Sequence, residues 1–93
     1  MMLKIEEISC LIHSVNLNKE GRTRTFPAIT LPLVAGLMKK VRALGDADGK
    51  ILAKECELDL STDEKKFVKD LVNELEWPAG DGEFVLGLIE KLS

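Results

Sequence analysis

The residues best able to carry chemistry are few: one histidine, two cysteines and no tyrosine in a chain of 93 residues. Cys10 and His13 stand three apart, a spacing that turns both side chains the same way if the segment is helical. Cys56 is the other thiol. A metal site built on Cys-x-x-His needs a second ligand pair, and nucleophilic catalysis needs a base oriented by a third group; neither accompanies these residues. The sequence therefore points away from an enzyme and from a resident cofactor. Two thiols in a chain with enough apolar residues for a core suit buried, reduced cysteines rather than a disulfide framework.

The most patterned stretch is Asp46-Ala47-Asp48-Gly49-Lys50-Ile51-Leu52-Ala53-Lys54-Glu55. Ca²⁺ requires several oxygens on a tight turn and a bidentate carboxylate to close the cage. On those residues the stretch resembles an EF-hand calcium loop: Asp46 and Asp48 supply oxygens, Gly49 the sharp turn, Ile51 the apolar residue and Glu55 the closing carboxylate. The resemblance covers about twelve residues and implies a metal held by Asp46, Asp48 and Glu55, with a helix leaving the loop. It departs from the family at the first ligand place, where Leu44 has no side-chain oxygen, and at Leu52. The alternative is an ordinary Gly-Asp turn between elements. A poorer echo begins at Asp81-Gly82-Glu83-Phe84, but Leu88 stands where a closing glutamate is needed.

Candidate contact residues are Trp77, beside Pro78 at a bend, and the basic group Lys39, Lys40 and Arg42 on the polar side of one helix. Trp77 is either a lid over a small core or an interface anchor. The basic group, joined by Lys19, Arg22 and Arg24, is either a solvated face or a patch for phosphate or an acidic partner.

The elements that must position these groups are legible from periodicity. Ser61 and Glu64 form a capping box, followed by Phe67, Val68, Leu71, Val72 and Leu75 as one apolar stripe, which predicts a helix over Thr62 to Glu76. Pro78 and Ala79-Gly80-Asp81-Gly82 reverse the chain, and Phe84, Val85, Leu88, Ile89 and Leu92 repeat the stripe, with Asp81 placed to cap it. These two helices should form an antiparallel hairpin packed on a helix from Leu31 to Leu44, for which Thr30 is the expected cap, Pro32 lies in the first turn and Gly45 follows the end. Gly36 weakens that helix or marks a close crossing. Residues 4 to 26 fit either a helix, on Ile5, Ile8, Leu11 or Ile12 and Val15, or two strands around Asn18 to Gly21; the apolar spacing favours the helix. Arg22 to Thr25 suits an edge strand, and Cys56, Leu58 and Leu60 alternate as in a short extended segment. No internal repeat is evident.

Composition bounds the rest. The chain is 45% hydrophobic and 31% charged, enough to fold as one domain and too apolar for intrinsic disorder. Acidic residues at Glu6 and Glu7 interrupt any signal-peptide core, and the least charged stretch, Phe26 to Met38, contains two prolines and is too short to span a bilayer. A cytoplasmic protein is expected. The net charge of −3 is unevenly divided. Residues 1 to 50 hold eight Lys/Arg against five Asp/Glu, and residues 51 to 93 hold five against eleven. That polarity argues against nucleic-acid binding, which needs a concentrated basic face, and favours orientation toward a protein partner or a second copy. The expected molecule is an all-α or mostly α bundle of about four helices. Its expected role is as a non-catalytic interaction or assembly module, with a calcium-responsive module and a small nucleic-acid-binding regulator as alternatives.

Overall fold

Each apolar stripe found in the sequence winds into a helix in the computed structural model, which describes every residue from Met1 to Ser93. The chain forms β1 (Met2–Lys4), α1 (Ile5–Asn16), a 3-10 turn (Ala28–Thr30) and α2 (Leu31–Arg42). It continues as β2 (Glu55–Glu57), α3 (Thr62–Glu74), a second 3-10 turn (Ala79–Asp81) and α4 (Gly82–Leu92). The fold is mostly helical, as expected. The strands pair antiparallel, with Leu3 opposite Cys56.

The N-terminal ambiguity resolves as a helix over residues 5 to 16 followed by a turn. Asn18 holds that turn through its carboxamide oxygen, which accepts from the Glu20 and Arg22 amides. Gly21 supplies the positive φ of 75°. Of the edge strand expected at Arg22 to Thr25, only a single bridge forms, from Thr23 to Leu17.

The core is one cluster in which Leu37, Leu71 and Val85 meet Leu3, Ile8 and Leu11. Its centre differs from expectation. Helix α1, amphipathic and buried at Ile8, Leu11 and Val15, packs against both α3 and α4, whereas α2 buries only Leu37 and Val41. The first 3-10 turn leaves Ile29 90% exposed.

Several local expectations need correction. Thr30 and Asp81 make no side-chain cap: both sit in helical conformation at the end of a 3-10 turn that already leads the chain into the next helix. Helix α3 stops at Glu74, two residues early, because Val72 gives its carbonyl both to the Leu75 amide and to the Trp77 indole. Helix α2 stops at Arg42, beyond which the Leu44 and Gly45 amides make tighter turn bonds to Val41 and Arg42. Gly36 is not a close crossing, since a β-carbon there would meet only a Glu64 oxygen at 3.9 Å. Gly87 is the tight position, with a Glu7 oxygen 2.6 Å from where its β-carbon would lie.

The largest correction is that the chain is internally duplicated. Pro27-Ala28, Val34, Gly36-Leu37 and Lys40 recur as Pro78-Ala79, Val85, Gly87-Leu88 and Lys91, each displaced by 51 positions; the prolines precede the two 3-10 turns, the alanines open them, and the rest lie in α2 and α4. The first helices match at a displacement of 57, placing Glu7 with Glu64, Leu11 with Val68 and Val15 with Val72, all buried. The difference of six is the longer link after α1. Side-chain identity fades along α1 and α3, which hid the repeat.

The halves are joined reciprocally. Met1 and Leu58, equivalent at the displacement of 57, exchange main-chain hydrogen bonds at 2.9 and 3.2 Å. Glu7 of α1 takes Lys91 of α4 at 2.6 Å, and Glu64 of α3 takes Lys40 of α2 at 2.6 Å. Each half thus gives a lysine to a buried glutamate of the other.

Candidate functional site

In two corresponding places the first helix of one half meets the residues leading into the second helix of the other. They are not alike. On one side Phe67 of α3 packs against Phe26, their rings tilted at 52° with centroids 5.7 Å apart. On the other side the position equivalent to Phe67 is Cys10, and Trp77 replaces Phe26. The thiol is too small to fill the space an aromatic ring occupies opposite, and a groove of about 400 Å³ is left open.

Cys10 and His13 line that groove from α1, and Trp77, Asp81 and Phe84 line it from the other half. The Trp77 indole is fixed by its Nε1 donating to the Val72 carbonyl at 3.1 Å, and the His13 ring lies 5.4 Å from it, tilted by 55°. Trp77 is half-buried, a wall of the groove rather than a sealed lid. Pro78 gives the bend that sets the indole here, because residue 77 is driven out of helical geometry.

The groove is acidic. Glu6, Glu76 and Asp81 contribute carboxylates and no lysine or arginine lines it. None of the three joins an ion pair within the chain. Asp81, released from the capping role its position suggested, contributes to the field felt by Cys10. Burial first, and then the charges of Asp81 and Glu7, push the Cys10 thiol above its ordinary range. A reactive cysteine needs the opposite setting, one that stabilises the thiolate.

The remaining sequence candidates lie elsewhere. Cys56 is buried in β2, away from the groove, so it does not join Cys10 and His13. Among Asp46, Asp48 and Glu55, the Asp46 carboxylate oxygen accepts from the Asp48 and Lys50 amides and closes its own turn, with Gly49 at φ 80°. The chain leaves this turn toward β2 rather than a helix, and Glu55 lies exposed in that strand opposite Lys4. No group of three His, Cys, Asp or Glu side chains is gathered for a metal ion.

The basic group is also divided. Lys40 is engaged with Glu64, while Lys39 and Arg42 remain exposed on α2. Arg24 does structural work: its side chain is 8% exposed, its Nε donates to the Ser14 carbonyl at 2.6 Å, and its Nη1 meets Glu74 at 3.4 Å. It also reaches the Leu71 carbonyl, so one guanidinium satisfies carbonyls near the C-termini of both α1 and α3.

The sequence pairs Cys10 with His13 and marks Trp77 separately, but it does not show that the three share a groove, nor that Glu6, Glu76, Asp81 and Phe84 line it. The available signal was the repeat itself, through the contrast of Ser9-Cys10 with Lys66-Phe67. Comparison with protein-family models, curated proteins and solved structures finds no match. No helix is long and apolar enough to cross a membrane.

Proposed function

We propose that this chain is a non-catalytic protein-interaction module of the cytoplasm and that the open groove at Trp77 is where its partner docks. The observation that carries the reading is the inequality of two corresponding places: one is filled by Phe67 on Phe26, the other keeps Trp77 and Phe84 lining an open groove over a thiol floor. Aromatic residues in partly enclosed hollows are the usual anchors of binding energy, and leaving such a hollow open costs the free protein packing it could otherwise have. A thiol held in its protonated form supports binding over nucleophilic catalysis. Two buried, free cysteines support a reducing compartment.

The test is to plug the groove. Cys10→Phe copies the closed side, and Ser9→Lys reaches the same space from an exposed position that does not disturb the core. Affinity isolation from the native cells, with sizing chromatography at low and high salt, should recover a specific partner or a self-associated species with the wild-type chain. Both should be lost with either variant, provided its circular dichroism is unchanged. A monomer at every concentration that recovers no partner, or equal recovery by the plugged variants, refutes the proposal.

A further inference from the structure

The Phe26–Phe67 pair shows what the open groove lacks. At equivalent positions of the first helices, α3 carries Lys66-Phe67 and α1 carries Ser9-Cys10, so α1 has neither the aromatic ring nor the neighbouring lysine. What remains is Trp77 and Phe84 as walls, the free thiol of Cys10, itself only 7% exposed, as floor, and three unpaired carboxylates around it. An occupant complementary to that set has an aliphatic stem to lie along the indole and a positive head to meet Glu6, Glu76 and Asp81.

Resting on the docking reading above, we infer that the groove recognises an arginine or lysine side chain presented by a segment of the partner protein. The chemistry is consistent at each contact. Long basic side chains cover aromatic surface with their methylenes while the charged head stays at the polar rim. A guanidinium gains further from the face of an indole and from more than one carboxylate at once. Neutral side chains gain no attraction from the three carboxylates and acidic ones are repelled by them, which is how the groove discriminates. The groove volume of about 400 Å³ accommodates one such side chain and leaves the flanking backbone outside.

The probe is a short peptide, acetyl-Gly-Ala-Arg-Ala-Gly-amide, with its citrulline counterpart as a neutral isostere, titrated into the full chain by two-dimensional NMR and by the fluorescence of Trp77. The arginine peptide should move the Trp77 indole signal and the amides of Ser9, Cys10, His13 and Phe84. The citrulline peptide should bind about fivefold more weakly, as should the arginine peptide at high salt. Ser9→Lys, which supplies a resident cation, and Asp81→Asn should each weaken the arginine peptide. Equal perturbation by both peptides overturns the charge preference but leaves a docking groove standing. Arginine-peptide shifts spread over exposed carboxylates elsewhere on the chain, or none at Trp77, overturn the assignment of the cation to this groove. The docking reading falls separately, by Cys10→Phe, which fills the groove without adding a charge.

Discussion

Glu7 and Glu64 hold the same place in the two halves of the chain. Each is the third residue of its helix, each turns back to accept the amide of the residue before that helix, at 2.7 Å from Lys4 and 2.8 Å from Ser61, and each receives a lysine from the other half at 2.6 Å. One carboxylate therefore starts a helix and fastens the halves together. The lysine in each case lies four residues after a glycine, so that Gly36-Lys40 and Gly87-Lys91 present the same notch and donor to the carboxylate.

The two notches differ in depth, which gives opposite outcomes for one substitution. Gly36→Ala should stabilise by up to about 1 kcal/mol, because its nearest neighbour is at 3.9 Å and alanine is the better helix former. Gly87→Ala should destabilise by about 1–3 kcal/mol: its β-carbon would lie 2.6 Å from Glu7 Oε2, on a carboxylate that Lys4 and Lys91 hold in place through its other oxygen. Urea denaturation of both variants checks the pair, and equal signs would contradict the packing described.

Glu64 also confers an acid dependence. Burial alone raises its carboxyl, but the hydrogen bond from Lys40, those with Ser61 and the Lys40 charge outweigh it and leave the group below its ordinary value of 4.5. A carboxyl depressed by folding contributes fully above the unfolded value. Its contribution falls away as acid titrates it through the lower folded value. Stability should thus decline below about pH 4.5, and the wild type should lose more than Glu64→Gln over that window. Denaturation midpoints from pH 6 to pH 2.5, about the range in which carboxylates titrate, report the difference.

Arg24 should behave as a structural residue and not as part of a binding patch. Arg24→Leu removes the donor for the Ser14 and Leu71 carbonyls and should cost about 2 kcal/mol, whereas Arg22→Leu, at an exposed position, should stay within about 0.5 kcal/mol. Thermal or urea unfolding distinguishes them, and equal losses would place Arg24 outside the role assigned to it.

Cys10 should alkylate slowly at neutral pH. Burial and the charges of Asp81 and Glu7 all disfavour the thiolate, so its rate should rise only in strongly alkaline solution, and Asp81→Asn should shift that rise to lower pH. Mass spectrometry of the iodoacetamide-treated peptides separates Cys10 from Cys56. Rapid labelling of Cys10 at pH 7 would reverse the argument for a binding role over thiol chemistry.

Local order was legible along the chain wherever neighbouring residues decide it. The Ser61–Glu64 capping box, the stripe from Phe67 to Leu75, the bend at Pro78 and the extended Cys56-Leu58-Leu60 alternation depend on contacts within a few residues and on periodic burial, and each was readable in one dimension. The site was not. Trp77 and Cys10 stand far apart in sequence, and the groove between them is an empty volume defined by a missing aromatic ring, which no local pattern encodes. Likewise the sequence alone marked Thr30 and Asp81 as caps, while packing of the 3-10 turns set Asp81 free for the groove. Only the tertiary structure decided which helix is central, which glycine is tight and which half is left open, because those depend on distances between segments that the chain brings together after its helices have formed.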